Sequence, residues 1–218
     1  MKKVLISPSI LGVKKEDLSS VCLTLLDKGS SLIHFDVMDG NFVSNVSFMD
    51  DEIDIVNGSM KKRCLDVHLM CKPVEIVVDN FMKRKVKYIT FHYEAVKKNN
   101  IEHFISYIKD KGFKCGISLN PSTDIKKITK YLSLVDLVLV MSVVPGKGGQ
   151  AFIESSLEKI KYLDSYRKKK NLKYLIEVDG GINDKTSKLC KEVGVDILVS
   201  GSYILKSDNY EERIKSLK

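Results

Sequence analysis

The chain has 218 residues, of which 44% are hydrophobic and 29% are charged, and its formal net charge is +8 at pH 7. This balance excludes a disordered or fibrous chain, and no apolar run approaches the roughly 20 residues that cross a bilayer. The lysines occur in short scattered runs without interleaved aromatic residues, which favours a solvated basic surface over a nucleic-acid-binding or membrane-binding site.

Short apolar segments recur along the chain and predict buried β-strands. They are apolar almost throughout, as expected for parallel strands that are covered on both faces. The predicted strands are Val4–Ser7, Leu32–Asp36, Cys64–Leu69, Tyr88–Phe91, Lys114–Leu119, Leu137–Met141, Tyr174–Val178 and Ile197–Ser200.

Longer amphipathic or charged segments separate these strands and predict helices. In the first of them, Leu18, Cys22 and Leu25 share one helical face, and Gly29 follows as a helix stop. The predicted helices are Lys15–Lys28, a segment opened by Pro73, Ile101–Lys111, Glu154–Lys170 and Lys185–Val193.

The alternation of strands and helices predicts an α/β fold, a (β/α)₈ TIM barrel that forms a single catalytic domain over residues 1–218. Eight units in this length leave about 27 residues for each, near the lower end for such barrels. The structural alternative is a doubly wound open sheet, which usually carries G-x-G-x-x-G in its first βα turn. Here that turn is Ser7-Pro8-Ser9-Ile10-Leu11-Gly12, so the barrel is the preferred interpretation.

Titratable residues stand at the carboxyl ends of three predicted strands, where barrels place their active sites. His34 and Asp36 end the second strand and point the same way, because strand side chains alternate. His68 ends the third strand and Asp179 the seventh. Two imidazoles and two carboxylates predict a site for one divalent metal ion, and this donor set suits Zn, Fe(II), Mn or Co. The alternative is structural: a histidine bonded within the fold, or an aspartate that caps a helix.

Three further titratable residues are placed outside this site or left open. His92 also ends a strand and is assigned a structural role, whereas His103 lies in a helical segment and is assigned to the surface. Glu177 precedes Asp179 by two residues, so both share a face unless the strand has already curled into its loop.

Glycine-rich turns follow the last three predicted strands and indicate an anion site. Glycine lets backbone N–H groups close around a phosphate, and barrels often seat phosphate after strands seven and eight. The alternative interpretation is that these glycines only allow the chain to turn and bind no anion. The turns are Val144-Pro145-Gly146-Lys147-Gly148-Gly149-Gln150, Asp179-Gly180-Gly181-Ile182 and Ser200-Gly201-Ser202.

The same segments resemble the ribulose-phosphate 3-epimerase family over essentially the full chain. The H-x-D-V-M-D-G block and D-V-H-L-M are the most specific parts of this resemblance. The matching segments are Ser7-Pro8-Ser9-Ile10-Leu11, His34 to Val43, Asp66 to Met70, Ser118-Leu119-Asn120-Pro121-Ser122-Thr123, Met141-Ser142-Val143 with Pro145-Gly146, Gly148-Gly149-Gln150, Glu177 to Ile182 and Gly201-Ser202-Tyr203-Ile204.

The resemblance implies reversible interconversion of D-ribulose 5-phosphate and D-xylulose 5-phosphate in the pentose phosphate pathway, with one divalent metal ion per subunit. It implies Asp36 and Asp179 as the acid/base pair, and His34, Asp36, His68 and Asp179 as metal ligands. The implied substrate-binding residues are Ser9, Met38, His68, Met70, Met141, Gly146, Lys147, Gly148, Gly149, Gly180, Gly181, Gly201 and Ser202.

Three positions depart from the family pattern: Lys147 stands at a usual Phe, Ser44 at a usual Pro and Met49 at a usual Gly. The rival interpretations are an allulose 6-phosphate epimerase, a related sugar-phosphate aldolase or decarboxylase, a nucleic-acid-binding protein, and a catalytically inactive phosphate-binding regulator. The amino-terminal apolar run is too short for a signal peptide, and the five cysteines contain no C-x-x-C pair. We therefore expect a cytoplasmic protein and, from the habit of barrels this size, a homo-oligomer.

Overall fold

Nine strands form one continuous sheet in the computed structural model, which describes residues 3–47, 50–82 and 84–218. The sheet order is β1-β9-β8-β7-β6-β5-β4-β2-β3, and every pairing except β2–β3 is parallel. The strands are β1 Leu5–Pro8, β2 Ile33–Asp39, β3 Val46–Ser47, β4 Leu65–Met70, β5 Val86–His92, β6 Lys114–Leu119, β7 Leu137–Met141, β8 Leu175–Asp179 and β9 Ile197–Ser200.

The parallel strands close into a barrel between β1 and β2. Ser9 forms a parallel bridge with His34, and the Ile10 amide donates to the His34 carbonyl at 3.2 Å. The short β3 pairs antiparallel with β2 outside this ring. The prediction of an eight-stranded (β/α)₈ barrel is therefore confirmed.

Helices cover the outside of the barrel, and the last turns of several match the predicted stops. The first predicted helix divides into a 3₁₀ turn, Lys15–Asp17, and α1; the fourth predicted helix, α5, ends at Lys170 with Asn171 in the left-handed region. The α-helices are α1 Leu18–Asp27, α2 Asp50–Ser59, α3 Glu75–Val78, α4 Ile101–Asp110, α5 Ser156–Lys170, α6 Thr186–Glu192, α7 Ser202–Leu205 and α8 Tyr210–Leu217.

The sequence patterns miss several elements that contribute few buried apolar residues. Among the described side chains of α2, only Ile53 and Val56 are buried, so its apolar stripe is too thin to recognise. After β6 the chain forms a 3₁₀ helix, Ile125–Tyr131, in place of an α-helix. Pro73 does not open its helix directly, because α3 begins at Glu75 and gives way to another 3₁₀ turn, Asp79–Phe81.

The strand alternation divides the core into two layers. Phe35, Val67 and Ile89 lie side by side in register and face the helices, within the larger apolar cluster. The interior of the barrel holds a smaller cluster that includes Tyr88 and Leu139. Because the alternate residues of β2, β4 and β8 point inward, polar groups next to this smaller cluster line the upper interior of the barrel.

Candidate active site

Register between strands brings the predicted histidines and aspartates together. His34 pairs with Asp66 and Asp36 pairs with His68 across β2 and β4. His34 and His68 are fully buried, whereas the Asp179 side chain at the end of β8 is 18% exposed. The four predicted ligand residues form one group, with one ligand atom from each lying within 4.8 Å of the others.

A carboxylate beneath the site orients His34. Its Nδ1 lies 2.8 Å from Asp66 Oδ2, which also accepts a hydrogen bond from Ser7 Oγ at 2.9 Å. A histidine that donates through Nδ1 presents Nε2 to the other side. Among the described residues, His34 Nε2 makes no hydrogen bond; it lies 3.4 Å from Asp36 Oδ1 and 4.0 Å from Asp179 Oδ2.

These separations fit a metal ion. Ligand atoms bound at tetrahedral angles about 2.0–2.2 Å from an ion lie roughly 3.3–3.6 Å apart. His68 Nδ1 completes the group at 3.1 Å from Asp36 Oδ1. Since the His34 nitrogen lacks a hydrogen-bond partner in the described chain and the donors suit a divalent metal, the cluster can hold one cation.

The two aspartates have different proton affinities without a metal ion. Burial opposes the charge of Asp36, but the charge of His34 and the close contacts with both histidines hold the pKa of Asp36 well below its usual range. Burial, reinforced by the charge of Asp36, raises the pKa of Asp179 to about 7. One carboxylate is thus ionised near neutral pH while the other takes up a proton readily.

The histidines also differ from each other. Burial alone would lower the pKa of His34, but the Asp36 and Asp66 carboxylates outweigh burial and raise it well above the usual value. These carboxylates therefore favour the protonated form of His34 when no metal ion is bound. Burial lowers the pKa of His68 despite its contact with Asp36, so His68 is neutral.

Glu177 faces the barrel interior together with Asp179, which answers the question that the sequence left open. Its side chain is fully buried in a second cluster with His34 and Asp66. Burial and the nearby charge of Asp66 raise the pKa of Glu177 well above its usual value. Glu177 therefore lies below the four candidate ligand residues, which we call the metal-type cluster, and its surroundings favour the neutral acid.

A cavity of about 860 Å³ opens above this cluster at the carboxyl ends of the strands. Asp36 and Asp179 line it, whereas His34 and His68 lie beneath its lining. The other predicted residues that line the cavity are Ser9, Met38, Met70, Met141, Gly146, Lys147, Gly148, Gly149, Gly180, Gly181, Gly201 and Ser202. The structure thus brings every predicted site residue to one place.

Two glycines in the wall of the cavity have conformations that other residues rarely adopt. Gly180 and Gly181 have φ angles of 121° and 64°. A Cβ on Gly181 would lie 2.7 Å from the Phe152 amide nitrogen, so the turn after β8 packs directly against the next loop. Glycine is therefore required at this position of the turn, and both glycines line the cavity.

Two loops meet over the mouth. The Asn45 side chain donates to the Gly146 carbonyl at 2.7 Å, and Gln150 Nε2 donates to the Lys147 carbonyl, also at 2.7 Å. The Lys147 and Ser44 side chains are exposed on these loops. Met49, the third departure from the family pattern, lies outside the described residues.

Sequence reasoning missed contacts below the site. His92, expected to be structural, places Nε2 2.8 Å from His68 Nε2, and its Nδ1 lies 3.4 Å from Glu94 Oε2. Asp66 could have been found, since it precedes His68 by two residues and shares its face of the strand. The sequence places His92 at a strand end like the other histidines, but only the packing of β4 against β5 shows its contact with His68. His103 is exposed, as predicted.

A parallel barrel with imidazoles and carboxylates beneath a glycine-lined cavity defines the class of protein. It is a TIM-barrel enzyme with a candidate metal centre. The family model described as "Ribulose-phosphate 3 epimerase family" matches residues 5–205. The chain belongs to the ribulose-phosphate 3-epimerase family, as the sequence motifs predicted.

Curated relatives match along the whole chain. The ribulose-phosphate 3-epimerase of Buchnera aphidicola subsp. Baizongia pistaciae is 39% identical over 220 residues, covering 100% of this chain and 96% of that protein. The chloroplastic ribulose-5-phosphate-3-epimerase of Arabidopsis thaliana is 37% identical, covering 99% of this chain and 76% of that protein.

Solved structures share the fold at low sequence identity. The 3-keto-L-gulonate-6-phosphate decarboxylase of Vibrio cholerae superposes with a TM-score of 0.73 at 10% identity, covering 99% of this chain and 96% of that one. At this identity the likeness supports the barrel architecture alone.

Proposed function

We propose that this protein interconverts D-ribulose 5-phosphate and D-xylulose 5-phosphate by moving a proton at carbon 3, as an isomerase of the pentose phosphate pathway. The observation that carries the proposal is the convergence of His34, Asp36, His68 and Asp179 beneath one cavity. Family membership over residues 5–205 supports the same reaction.

His34, Asp36, His68 and Asp179 would hold one divalent metal ion per subunit, for which Zn, Fe(II), Mn and Co all suit the donors. When bound, such an ion acts as a Lewis acid that stabilises negative charge developing on the substrate oxygens. The neutral state of His68 and the orientation of His34 by Asp66 prepare the ligand nitrogens for that ion.

Asp36 and Asp179 would transfer the protons. Inversion at carbon 3 requires that one group remove a proton from one face and another return a proton to the opposite face, through an enediolate. The two aspartates come from β2 and β8, which β1 and β9 separate around the barrel, and both line the cavity. The low pKa of Asp36 and the raised pKa of Asp179, at about 7, supply one base and one acid, and the roles exchange in the reverse direction.

Ser9 holds Asp36 in place for this task. Ser9 Oγ donates to Asp36 Oδ2 at 2.8 Å, while Asp36 Oδ1 faces His34 and His68. One oxygen is therefore oriented by Ser9 and the other by the metal-type cluster. This arrangement limits rotation of the carboxylate and keeps it directed at the cavity.

The substrate phosphate would lie against the glycine turns. Gly146, Gly148 and Gly149 line one side of the cavity, and Gly180, Gly181, Gly201 and Ser202 line another. Exposed Lys147 adds a positive charge at the mouth, which favours an anionic substrate.

Met38, Met70 and Met141 would surround the reacting carbons. Each is 2% exposed and lines the cavity next to the aspartates. Their apolar side chains offer no competing hydrogen bonds and exclude water from the enediolate.

The single domain over residues 1–218, the homo-oligomer and the cytoplasmic location stay predictions. The location is supported by five free and buried cysteines, which suit a reducing compartment. Within the described residues, no helix has the length and apolar character to cross a membrane.

An assay on purified protein tests the activity. We expect turnover of D-ribulose 5-phosphate, followed by coupled detection of D-xylulose 5-phosphate, in a sample whose bound metal is quantified by elemental analysis. Allulose 6-phosphate is assayed in parallel, since the motifs do not specify substrate length. A preference for allulose 6-phosphate would replace the pentulose substrate by the hexulose, and inactivity on both in a metal-loaded sample would refute the proposal.

A further inference from the structure

The His68 ligand is backed by a second histidine and a carboxylate that none of the steps above uses. His68 Nε2 lies 2.8 Å from His92 Nε2, and the two rings stack with centroids 4.9 Å apart. On the far side, His92 Nδ1 faces Glu94 Oε2 at 3.4 Å, and neither atom makes a hydrogen bond with any of the described residues. The three groups form a chain that runs from the loop after β5 to the metal-type cluster.

Glu94 begins this chain as a carboxylate. Burial would raise its pKa, but contacts with His92, Thr123 and the Asn120 amide lower that pKa to about 2. Both of the last two contacts reach Glu94 Oε1, from Thr123 Oγ1 and from the Asn120 amide at 2.9 Å. Glu94 Oε2 is left to face His92, and an ionised carboxylate can only accept a hydrogen bond.

The loop that holds Glu94 is itself anchored. Lys159 Nζ donates to the carbonyl groups of Asn120, Pro121 and Thr123 at 2.7–3.1 Å. This is the Asn120-Pro121-Ser122-Thr123 segment of the family resemblance, which no catalytic role explains. Its position beside Glu94 supplies a reason for it.

The position of each proton in the chain follows from these contacts. The two Nε2 atoms lie 2.8 Å apart and share a single hydrogen, and the neutral His92 ring carries one proton. Because Glu94 can only accept, that proton lies on Nδ1, and His92 Nε2 becomes an acceptor. The hydrogen between the two Nε2 atoms must then come from His68, which leaves a lone pair on His68 Nδ1.

That lone pair points at Asp36 Oδ1, 3.1 Å away. A lone pair and a carboxylate oxygen repel each other unless a cation lies between them. His34 has the same arrangement by a shorter route, since Asp66 holds its Nδ1 directly. Two carboxylates thus select the tautomers of both histidines, one in direct contact and one through an intervening ring.

We propose that Glu94, acting through His92, is a positioning group that fixes His68 as the Nε2–H tautomer and so directs Nδ1 to the metal ion. The inference rests on the metal site of the proposed function. Phe42 covers His92, with ring centroids 4.8 Å apart, and shields the chain from water.

Glu94→Gln reverses the proton positions on His92 and His68 with little change in side-chain shape. The amide oxygen keeps the contacts with Thr123 and Asn120, and the NH₂ group then faces His92 Nδ1 in place of an acceptor. His92 shifts its proton to Nε2, and His68 is left with a proton on the ligand atom. Glu102→Gln makes the same charge change at an exposed position of α4 and serves as the control.

The test measures Zn²⁺ affinity by competition with a chromophoric chelator, with circular dichroism as the check on folding. We expect Glu94→Gln to bind Zn²⁺ about 10–100-fold more weakly than the wild type, the usual effect of removing a group that orients a ligand, and Glu102→Gln to bind normally. Equal affinity in wild type and Glu94→Gln would overturn the inference but leave the proposed site intact. Absence of Zn²⁺ binding by the wild type would overturn the site itself and, with it, this inference.

A second measurement needs no variant that has to fold. The chain has four histidines, so a ¹⁵N–¹H correlation spectrum of ¹⁵N-histidine-labelled, Zn²⁺-loaded wild type resolves each tautomer. We expect Nε2–H for His68 and Nδ1–H for His92. A proton on Nδ1 of His68, or on Nε2 of His92, would refute the inference whatever the variant does.

Discussion

Replacement of one aspartate should separate proton removal from epimerisation. In Asp179→Asn the side chain keeps its size at the cavity wall, where it is 18% exposed, but it can no longer deliver or accept the second proton. Loss of a general acid or base costs about 10²–10⁴-fold in turnover, which corresponds to roughly 2.7–5.5 kcal/mol of transition-state stabilisation. We expect Asp36→Asn to fall in the same range.

The assay follows the hydrogen at carbon 3 in D₂O. In Asp179→Asn, Asp36 is intact and still removes the proton from one of the two epimers. Proton NMR should therefore show that this epimer exchanges carbon-3 hydrogen with solvent faster than it inverts, and Asp36→Asn should show exchange of the other epimer. Wild type should incorporate deuterium into the product in both directions.

The comparison must be made at equal metal content, because both aspartates belong to the candidate ligand set. Asp208→Asn, an exposed surface replacement, is the matched control and should retain full activity. If both active-site variants remain within about threefold of wild type while folded and equally loaded, the two-carboxylate mechanism is wrong, since that is well below the expected loss.

Three further predictions concern the metal, the mouth and the turn after β8. The pKa of His34 is raised and that of Asp179 is about 7, so metal binding at pH 7 should release about one to two protons and should strengthen as pH rises. Calorimetry in buffers of different ionisation heat measures the number of protons released. Zero release would contradict the ligand assignment. Lys147→Phe removes an exposed charge from the cavity mouth and should raise KM for the sugar phosphate about two- to fivefold at low salt, with kcat unchanged. If KM equals that of the wild type at every salt concentration, this charge has no role in substrate binding. Gly181→Ala places a Cβ 2.7 Å from the Phe152 amide nitrogen at a φ of 64°, so thermal unfolding should show a loss of roughly 1–3 kcal/mol; an unchanged Tm would show that the turn can relax.

The sequence alone predicts the barrel because its signal is repeated. Apolar strands such as Lys114–Leu119, Leu137–Met141 and Ile197–Ser200 agree with the structure at both ends. Elements with little apolar surface, such as α2, give no periodic pattern, so local sequence cannot distinguish them from a charged loop.

The four candidate ligand residues were also predictable from sequence. His34 and Asp36 share a face of one strand by alternation, and the barrel rule places His68 and Asp179 at the same end of the barrel. Family motifs gave the same set. What the sequence could not say was how Glu177 is directed, since strand and loop geometry are equally compatible with its spacing.

Only the tertiary structure shows what supports the ligands. His92 and Glu94 lie on and after β5, and strand register together with inward packing brings the His92 ring to 2.8 Å from His68. Likewise, the contrast between ionised Asp36 and proton-accepting Asp179 depends on burial and on distances to other charges. Alternation along one strand is a local property that a sequence displays, whereas proton positions depend on groups that meet in space from distant parts of the chain.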